Sequence, residues 1–144
     1  MDKKKVIFIC TGNACRSQMA EGLLRHMAGE KFEVYSAGSH PSRLHPASVA
    51  VMAERNIDIA HHTSETINDY LETGIDIVIT VCDNAQQICP TFPGNVQRIH
   101  WGLDDPYHGW GAEPEDLLPY RETRDELKHI IKVFLTEQNK KVKG

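Results

Sequence analysis

The chain has 144 residues, 40% of them hydrophobic and 25% charged, with a net charge of −4. That length supports one core without metal or disulfide staples, and the composition is that of an ordinary globular domain. The acidic balance excludes a phosphate-backbone footprint for nucleic acid, and no run approaches the ~20 apolar residues of a membrane span. The apolar stretch after Met1-Asp2-Lys3-Lys4-Lys5 is too brief for a signal-peptide core, so a cytoplasmic location is expected. That compartment keeps cysteines as thiols, which argues against reading Cys10, Cys15, Cys82 and Cys89 as a disulfide framework.

Val6-Ile7-Phe8-Ile9 is a continuous β-branched and aromatic run, which predicts a strand buried on both faces. A loop begins at Cys10. Met19, Ala20, Leu23, Leu24 and Met27 then recur at helical spacing, with Gly29 as a stop. Residues 32–36 predict a second strand closed by Ala37-Gly38, and Val49, Met52 and Ala53 a short second helix. Residues 75–81 form the strongest strand signal and end directly on Cys82; residues 96–101 are a fourth strand candidate. Leu127, Ile130, Ile131, Phe134 and Leu135 follow the i, i+3, i+4, i+7, i+8 pattern of an amphipathic helix. Strands alternating with helices predict a single α/β domain over 1–144 with a mostly parallel sheet, residues 1–4 and 138–144 being flexible tails. Ligands of open α/β sheets bind beyond the carboxyl ends of the strands. Cys10, Cys82, Asp104 and Asp105 all fall at that edge.

Cys10-Thr11-Gly12-Asn13-Ala14-Cys15-Arg16-Ser17 joins a strand to a helix through a loop suited to binding an oxyanion. Successive backbone N–H groups and a helix N-terminus favour negative charge there, and the same field favours thiolate over thiol. Arg16 brings a planar guanidinium that grips two oxygens of a tetrahedral anion. Ser17 is placed to donate to the Cys10 sulfur, Gly12 to allow close backbone approach, and Asn13 to adopt left-handed geometry while tying the loop through its amide. Cys15 reads as a filler within the loop rather than as a redox partner. The eight scattered histidines show no metal-ligand spacing, and His61-His62 reads as a surface pair or as support behind the site. Trp101 is expected in the core and Trp110 at a pocket rim.

The run from Cys10 to Ser17, continued by Gln18-Met19-Ala20-Glu21-Gly22, resembles the low-molecular-weight protein tyrosine phosphatase superfamily. Gln18, where the phosphatases usually carry proline, makes it more similar to the thioredoxin-coupled arsenate reductase branch. Tyr35-Ser36-Ala37-Gly38, His62-Thr63-Ser64-Glu65 and His100-Trp101-Gly102-Leu103-Asp104-Asp105-Pro106 agree, so the resemblance covers about residues 5–135. It implies a four-stranded parallel sheet flanked by helices and a monomer. It also implies reduction of arsenate to arsenite, and hence arsenical resistance. Reducing arsenate takes two electrons, which a chain without a redox cofactor draws from thiols; Cys82 and Cys89 match the family's resolving positions.

The implied mechanism is a relay in which Cys10 attacks arsenate, Cys82 attacks Cys10, and Cys89 attacks Cys82, leaving a redox-active disulfide for thioredoxin to reduce. A disulfide needs Cα atoms about 4.4–6.8 Å apart. Seven helical steps of ~1.5 Å separate them by roughly 10 Å, so residues 82–89 cannot stay helical once the bond closes. Asp105 matches the family's general acid, with Pro106 fixing its turn and Asp104 helping to hold the loop. The resemblance further implies a potassium site at Asn13, Glu21, Ser36 and Glu65, although relatives carry Asp at the last position. Tyr107-His108-Gly109-Trp110 is closer to the phosphatase pattern. It keeps a tyrosine phosphatase as the alternative, or phosphatase activity as a side reaction, and residues 107–119 remain open as lid or surface loop.

Overall fold

The computed structural model describes residues 3–81 and 94–143. Cys82 and Cys89 lie outside them. Four parallel strands, β1 (Lys4–Cys10), β2 (Phe32–Gly38), β3 (Ile77–Thr80) and β4 (Gln97–His100), form one sheet in the order β2-β1-β3-β4. Among the described residues, helices α1 (Arg16–Ala28), α2 (Pro46–Ala53) and α3 (Leu118–Lys143) flank it, with 3-10 turns at Ile67–Tyr70 and Pro114–Asp116. This is the expected α/β architecture, and β1 is its centre. Val6, Ile7, Phe8 and Ile9 are fully buried because both faces of that strand are covered. Even-numbered side chains enter a large core with Met19, Leu23, Leu24, Leu127 and Ile131. Odd-numbered ones enter a smaller core with Ile67, Ile75 and Val78.

β3 and β4 are each shorter than the expected 75–81 and 96–101, while two other elements run past their expected ends for physical reasons. β2 runs on through Ala37 and Gly38, because Gly38 pairs in register with Cys10. A methyl group at Gly38 would lie 2.5 Å from Thr11 O and 2.9 Å from Asn13 N, so only glycine lets the strand end against the loop. The corresponding space at Gly12 is less tight, 3.3 Å to Ser42 Oγ. The last helix is longer than its apolar pattern and continues to Lys143, through most of the expected C-terminal tail. Its inward face includes Thr123, Arg124 and Gln138, all buried, which an apolar template does not register.

Arg124 shows how that face accommodates charge. Its guanidinium donates to Val51 O at 2.8 Å and pairs with Glu54 Oε1 at 2.7 Å and Asp125 Oδ1 at 2.8 Å, joining α3 to α2. Arg121 adds a second pair to Glu54 at 2.8 Å. Hydrogen bonds first from Arg121 and then from Arg124 pull the Glu54 carboxyl from its ordinary 4.5 down to about 2. A depressed folded-state value stabilises the fold above the unfolded value and loses that contribution as pH falls. Glu54→Gln is therefore expected to destabilise the protein by about 1–2 kcal/mol at neutral pH. In thermal melts its Tm deficit should be constant above about pH 5 and shrink as pH falls from about 4.5 toward 2.

Candidate active site

The loop leaves β1 at Cys10 and enters α1 at Arg16, with Cys15 as the helix N-cap residue. Its carbonyls are drawn outward. His40 N–H donates to Thr11 O at 2.9 Å, Ser42 N–H to Gly12 O at 3.0 Å and His45 N–H to Ala14 O at 3.1 Å. Asn13 O accepts from Ser64 Oγ at 2.8 Å and Gln18 Nε2 at 3.0 Å. In a trans peptide the N–H opposes the carbonyl, so the amides of residues 12 to 15 are aimed away from these partners, toward the pocket. Successive amides aimed into one pocket are a geometry suited to an anion.

Cys10 is 2% exposed, and its sulfur lies 2.9 Å from Ser17 Oγ. Asn13 takes the left-handed conformation, φ +48°, and its Nδ2 donates to Ser17 Oγ at 2.8 Å and Ser36 Oγ at 3.0 Å. Since Asn13 supplies a proton to Ser17, the Ser17 hydroxyl is left to donate its own toward the sulfur. Gln18 is fully buried and bridges Asn13 O to Thr63 O, both at 3.0 Å, which explains physically what replaces a proline at this point. Cys15, 5% exposed, is the other thiol of the loop. Burial pushes its thiol up to about 12 against the lowering pull of the Ser48 hydroxyl, which keeps it protonated and supports the filler reading.

Arg16 is the buried link to the opposite wall. Its Nη1 donates to Leu103 O at 2.9 Å and its Nη2 lies 3.5 Å from Asp105 Oδ2. Asp105 is half-exposed at the pocket mouth, and its other oxygen accepts the Tyr107 N–H at 3.0 Å in a short turn. Asp104 is exposed and takes no part in the described hydrogen bonds that hold this loop. The loop is held by Arg16 and by His45, whose role the sequence reading missed. His45 Nδ1 accepts the Ala47 N–H at 3.0 Å, so Nε2 carries the proton and donates to Gly109 O at 2.7 Å. The fully buried ring stacks on Trp110 at 4.8 Å and 12° and contacts the buried Tyr120. Its signal was a histidine directly before Pro46, the N-cap position ahead of a proline at the first helical turn.

These elements enclose a cavity of about 430 Å³ whose lining includes Cys10, Thr11, Gly12, Ala14, Cys15, Arg16 and Asp105, with Tyr107 and Trp110 as an aromatic wall. Tyr107 and Trp110 thus make part of the pocket wall, and the segment continues through the 3-10 turn at Pro114–Asp116 into α3. Trp110 sits at the rim as expected, with Arg43 stacked over it at 4.1 Å, and Trp101 packs on Phe8 and Phe134. β3 leaves the sheet beside the nucleophile: Val81 N–H donates to Ile9 O at 2.9 Å, and Cys82 is the next residue in the chain. Among the described residues no cluster of three or more His, Cys, Asp or Glu side chains is arranged to hold a metal, and no helix is long and apolar enough to cross a membrane.

The residues implied for potassium are brought together but are already engaged. Glu21 Oε1 accepts from Ser36 Oγ at 2.5 Å, and Glu21 Oε2 accepts from Arg25 Nη2 at 2.5 Å. Asn13 turns its NH2 toward Ser36, while its Oδ1 accepts the Glu65 N–H at 2.8 Å; the Glu65 carboxylate accepts from Thr63 Oγ1. Potassium needs oxygens that replace its hydration shell. This arrangement presents hydrogen-bonded carboxylate oxygens, an amide N–H and a guanidinium, and does not fit the cation. His61 lies on the surface, whereas His62 turns inward onto Gln18.

A cysteine sulfur beside a serine hydroxyl in an amide concavity, flanked by an arginine and faced by an aspartate, is the arrangement of an oxyanion-directed thiol enzyme. The chain belongs to the low molecular weight phosphotyrosine protein phosphatase family, which it matches over residues 5–144. It is 44% identical to an arsenate reductase of Halalkalibacterium halodurans over 93% of this chain and 96% of that protein. A solved arsenate reductase in a phosphate-binding state superposes with a TM-score of 0.73 at 34% identity, covering 93% of this chain and 98% of the other. A thioredoxin-dependent arsenate reductase of Corynebacterium glutamicum superposes with a TM-score of 0.70 at 29% identity, over 94% of this chain and 63% of that one.

Proposed function

We propose that this protein reduces arsenate to arsenite by a relay of Cys10, Cys82 and Cys89 and is regenerated by thioredoxin. The observation that carries the reading is the Cys10 sulfur held by Ser17 in the concavity, beside the point where β3 leaves the sheet one residue before Cys82. The relatives named above support arsenate as substrate, and the Corynebacterium glutamicum structure supports thioredoxin as electron donor. Arsenate binds to the loop amides and Arg16, and the Cys10 sulfur displaces one oxygen from arsenic, Asp105 supplying the proton that oxygen needs to leave as water. Cys82 then attacks the Cys10 sulfur. The S–As bond breaks, its electron pair stays on arsenic, and arsenite departs. Cys89 attacks Cys82 and frees Cys10, and two electrons from thioredoxin open the Cys82–Cys89 bond.

A second reading has its own observation. The 430 Å³ cavity exceeds a tetrahedral oxyanion, on the order of 100 Å³ if scaled from ~30 Å³ per water, and Tyr107 and Trp110 wall the remainder. An aryl phosphate fits that shape, so hydrolysis of p-nitrophenyl phosphate is expected as a side activity using Cys10 alone. Cys89→Ala separates the two. It should abolish multiple-turnover arsenate reduction with thioredoxin while leaving p-nitrophenyl phosphate hydrolysis within about twofold of wild type. Full reductase turnover in Cys89→Ala would remove the relay.

A further inference from the structure

We infer that Arg25 is the built-in cation of this site: its guanidinium takes the place of a monovalent metal ion and sets, through two hydrogen-bonded arms, the orientation of the Ser17 hydroxyl on Cys10. The inference deepens the proposed function, since it concerns the same thiol. Arg25 Nη2 meets Glu21 Oε2 and the β2 carbonyl Val34 O, each at 2.5 Å, so the guanidinium ties α1 to the central sheet. The first arm runs from Glu21 Oε1 to the Ser36 hydroxyl at 2.5 Å, and on to Asn13 Nδ2 at 3.0 Å. The second runs from Arg25 Nη1 to His62 Nε2 at 3.3 Å, from His62 Nδ1 to Gln18 Oε1 at 3.0 Å, and from Gln18 Nε2 to Asn13 O at 3.0 Å.

Every donor along both arms is determined. A carboxylate only accepts, so Ser36 must donate to Glu21 and therefore accepts from Asn13. A guanidinium only donates, so His62 Nε2 accepts and Nδ1–H donates to Gln18. Burial, the largest influence on His62, lowers its affinity for a proton, in keeping with that neutral form. Both arms end on Asn13, whose Nδ2 supplies the proton to Ser17. The charge of Glu21 would otherwise sit partly buried, its side chain 13% exposed, and the guanidinium compensates it from within the chain. Arg25 touches neither the pocket nor Cys10 and is a positioning residue.

The test compares wild type, Arg25→Ala and Arg25→Lys in sodium and in potassium buffers of equal ionic strength. The readouts are the rate of Cys10 alkylation by iodoacetamide, in a background lacking Cys82 and Cys89, and kcat for p-nitrophenyl phosphate. Neither requires arsenate to be reduced, so failure of the arsenate reading and failure of this one are separable. Wild type should be indifferent to the choice of cation. Arg25→Ala should lose about 10-fold in both readouts in sodium, as for loss of a group that orients a reactive ligand. Potassium should restore most of that loss, and Arg25→Lys should retain most of the wild-type rate without potassium. Stimulation of wild type by potassium would overturn the inference. So would an Arg25→Ala enzyme with unchanged rates, or one whose loss potassium leaves untouched.

Discussion

Replacing Cys10 by serine is expected to lower both arsenate reduction and aryl phosphate hydrolysis by more than about 10,000-fold, the scale set by losing an enzyme's nucleophile. The geometry explains why no neighbour compensates. Cys15 lies in the same loop and also lines the cavity, but burial holds its thiol up to about 12, so it stays protonated. Ser17 is 2.9 Å from the Cys10 sulfur, but it serves as that sulfur's hydrogen-bond donor and is itself fully buried. Binding should survive the change, because the concavity is built from backbone amides whose carbonyls are fixed by His40, Ser42, His45, Ser64 and Gln18. Thermal-shift titration with phosphate should therefore give Cys10→Ser an affinity within a few-fold of wild type beside absent turnover. Loss of phosphate binding in step with turnover would mean that the sulfur, not the loop, organises the anion site.

Arg16→Lys should cost about 100–1,000-fold in kcat/KM for either oxyanion substrate, the range for removing a preorganised electrostatic donor. The charge is kept, so the size of the loss reads the geometry. Arginine spans two walls: Nη1 holds Leu103 O at 2.9 Å while Nη2 approaches Asp105 Oδ2 at 3.5 Å, and the planar fork still lines the cavity. A lysine ammonium is a point charge that serves one wall at a time. In the proposed mechanism the substitution removes bidentate contact with the anion and also releases Asp105, the proposed proton donor. Combining Arg16→Lys with Asp105→Asn should consequently cost less than the product of the two single effects, because both act through one unit. Strict multiplicativity would place Asp105 in an independent role.

The positions of Cys10 and Arg16 and the parallel sheet were legible in the sequence because each rests on a local pattern. A β-branched run, a glycine-containing loop and helical spacing from Met19 onward suffice to place Cys10 at the carboxyl end of a central strand. Ser17 was legible for the same reason, being the second residue of α1. His45 and Arg25 were not, because what they do depends on contacts far along the chain: His45 reaches Gly109, and Arg25 joins Glu21, Val34 and His62. The end of α3 was hidden for a different reason. Its inner face carries Thr123, Arg124 and Gln138, polar groups buried by pairing, so the apolar period stops before the helix does. The potassium site shows the limit of residue matching. Asn13, Glu21, Ser36 and Glu65 are gathered as the resemblance implied, yet Arg25 already occupies the carboxylate that a cation would need.

The central claim, that three thiols pass two electrons to arsenic, is tested most directly by a single turnover without thioredoxin. Fully reduced enzyme mixed with excess arsenate should release one arsenite per chain and lose two free thiols. Peptide mapping should then find Cys82 joined to Cys89 and Cys10 free, while Cys89→Ala should stop at a Cys10–Cys82 bond. Stoichiometric arsenite with Cys82 and Cys89 still reduced, or the same yield from a variant lacking both, would contradict the account.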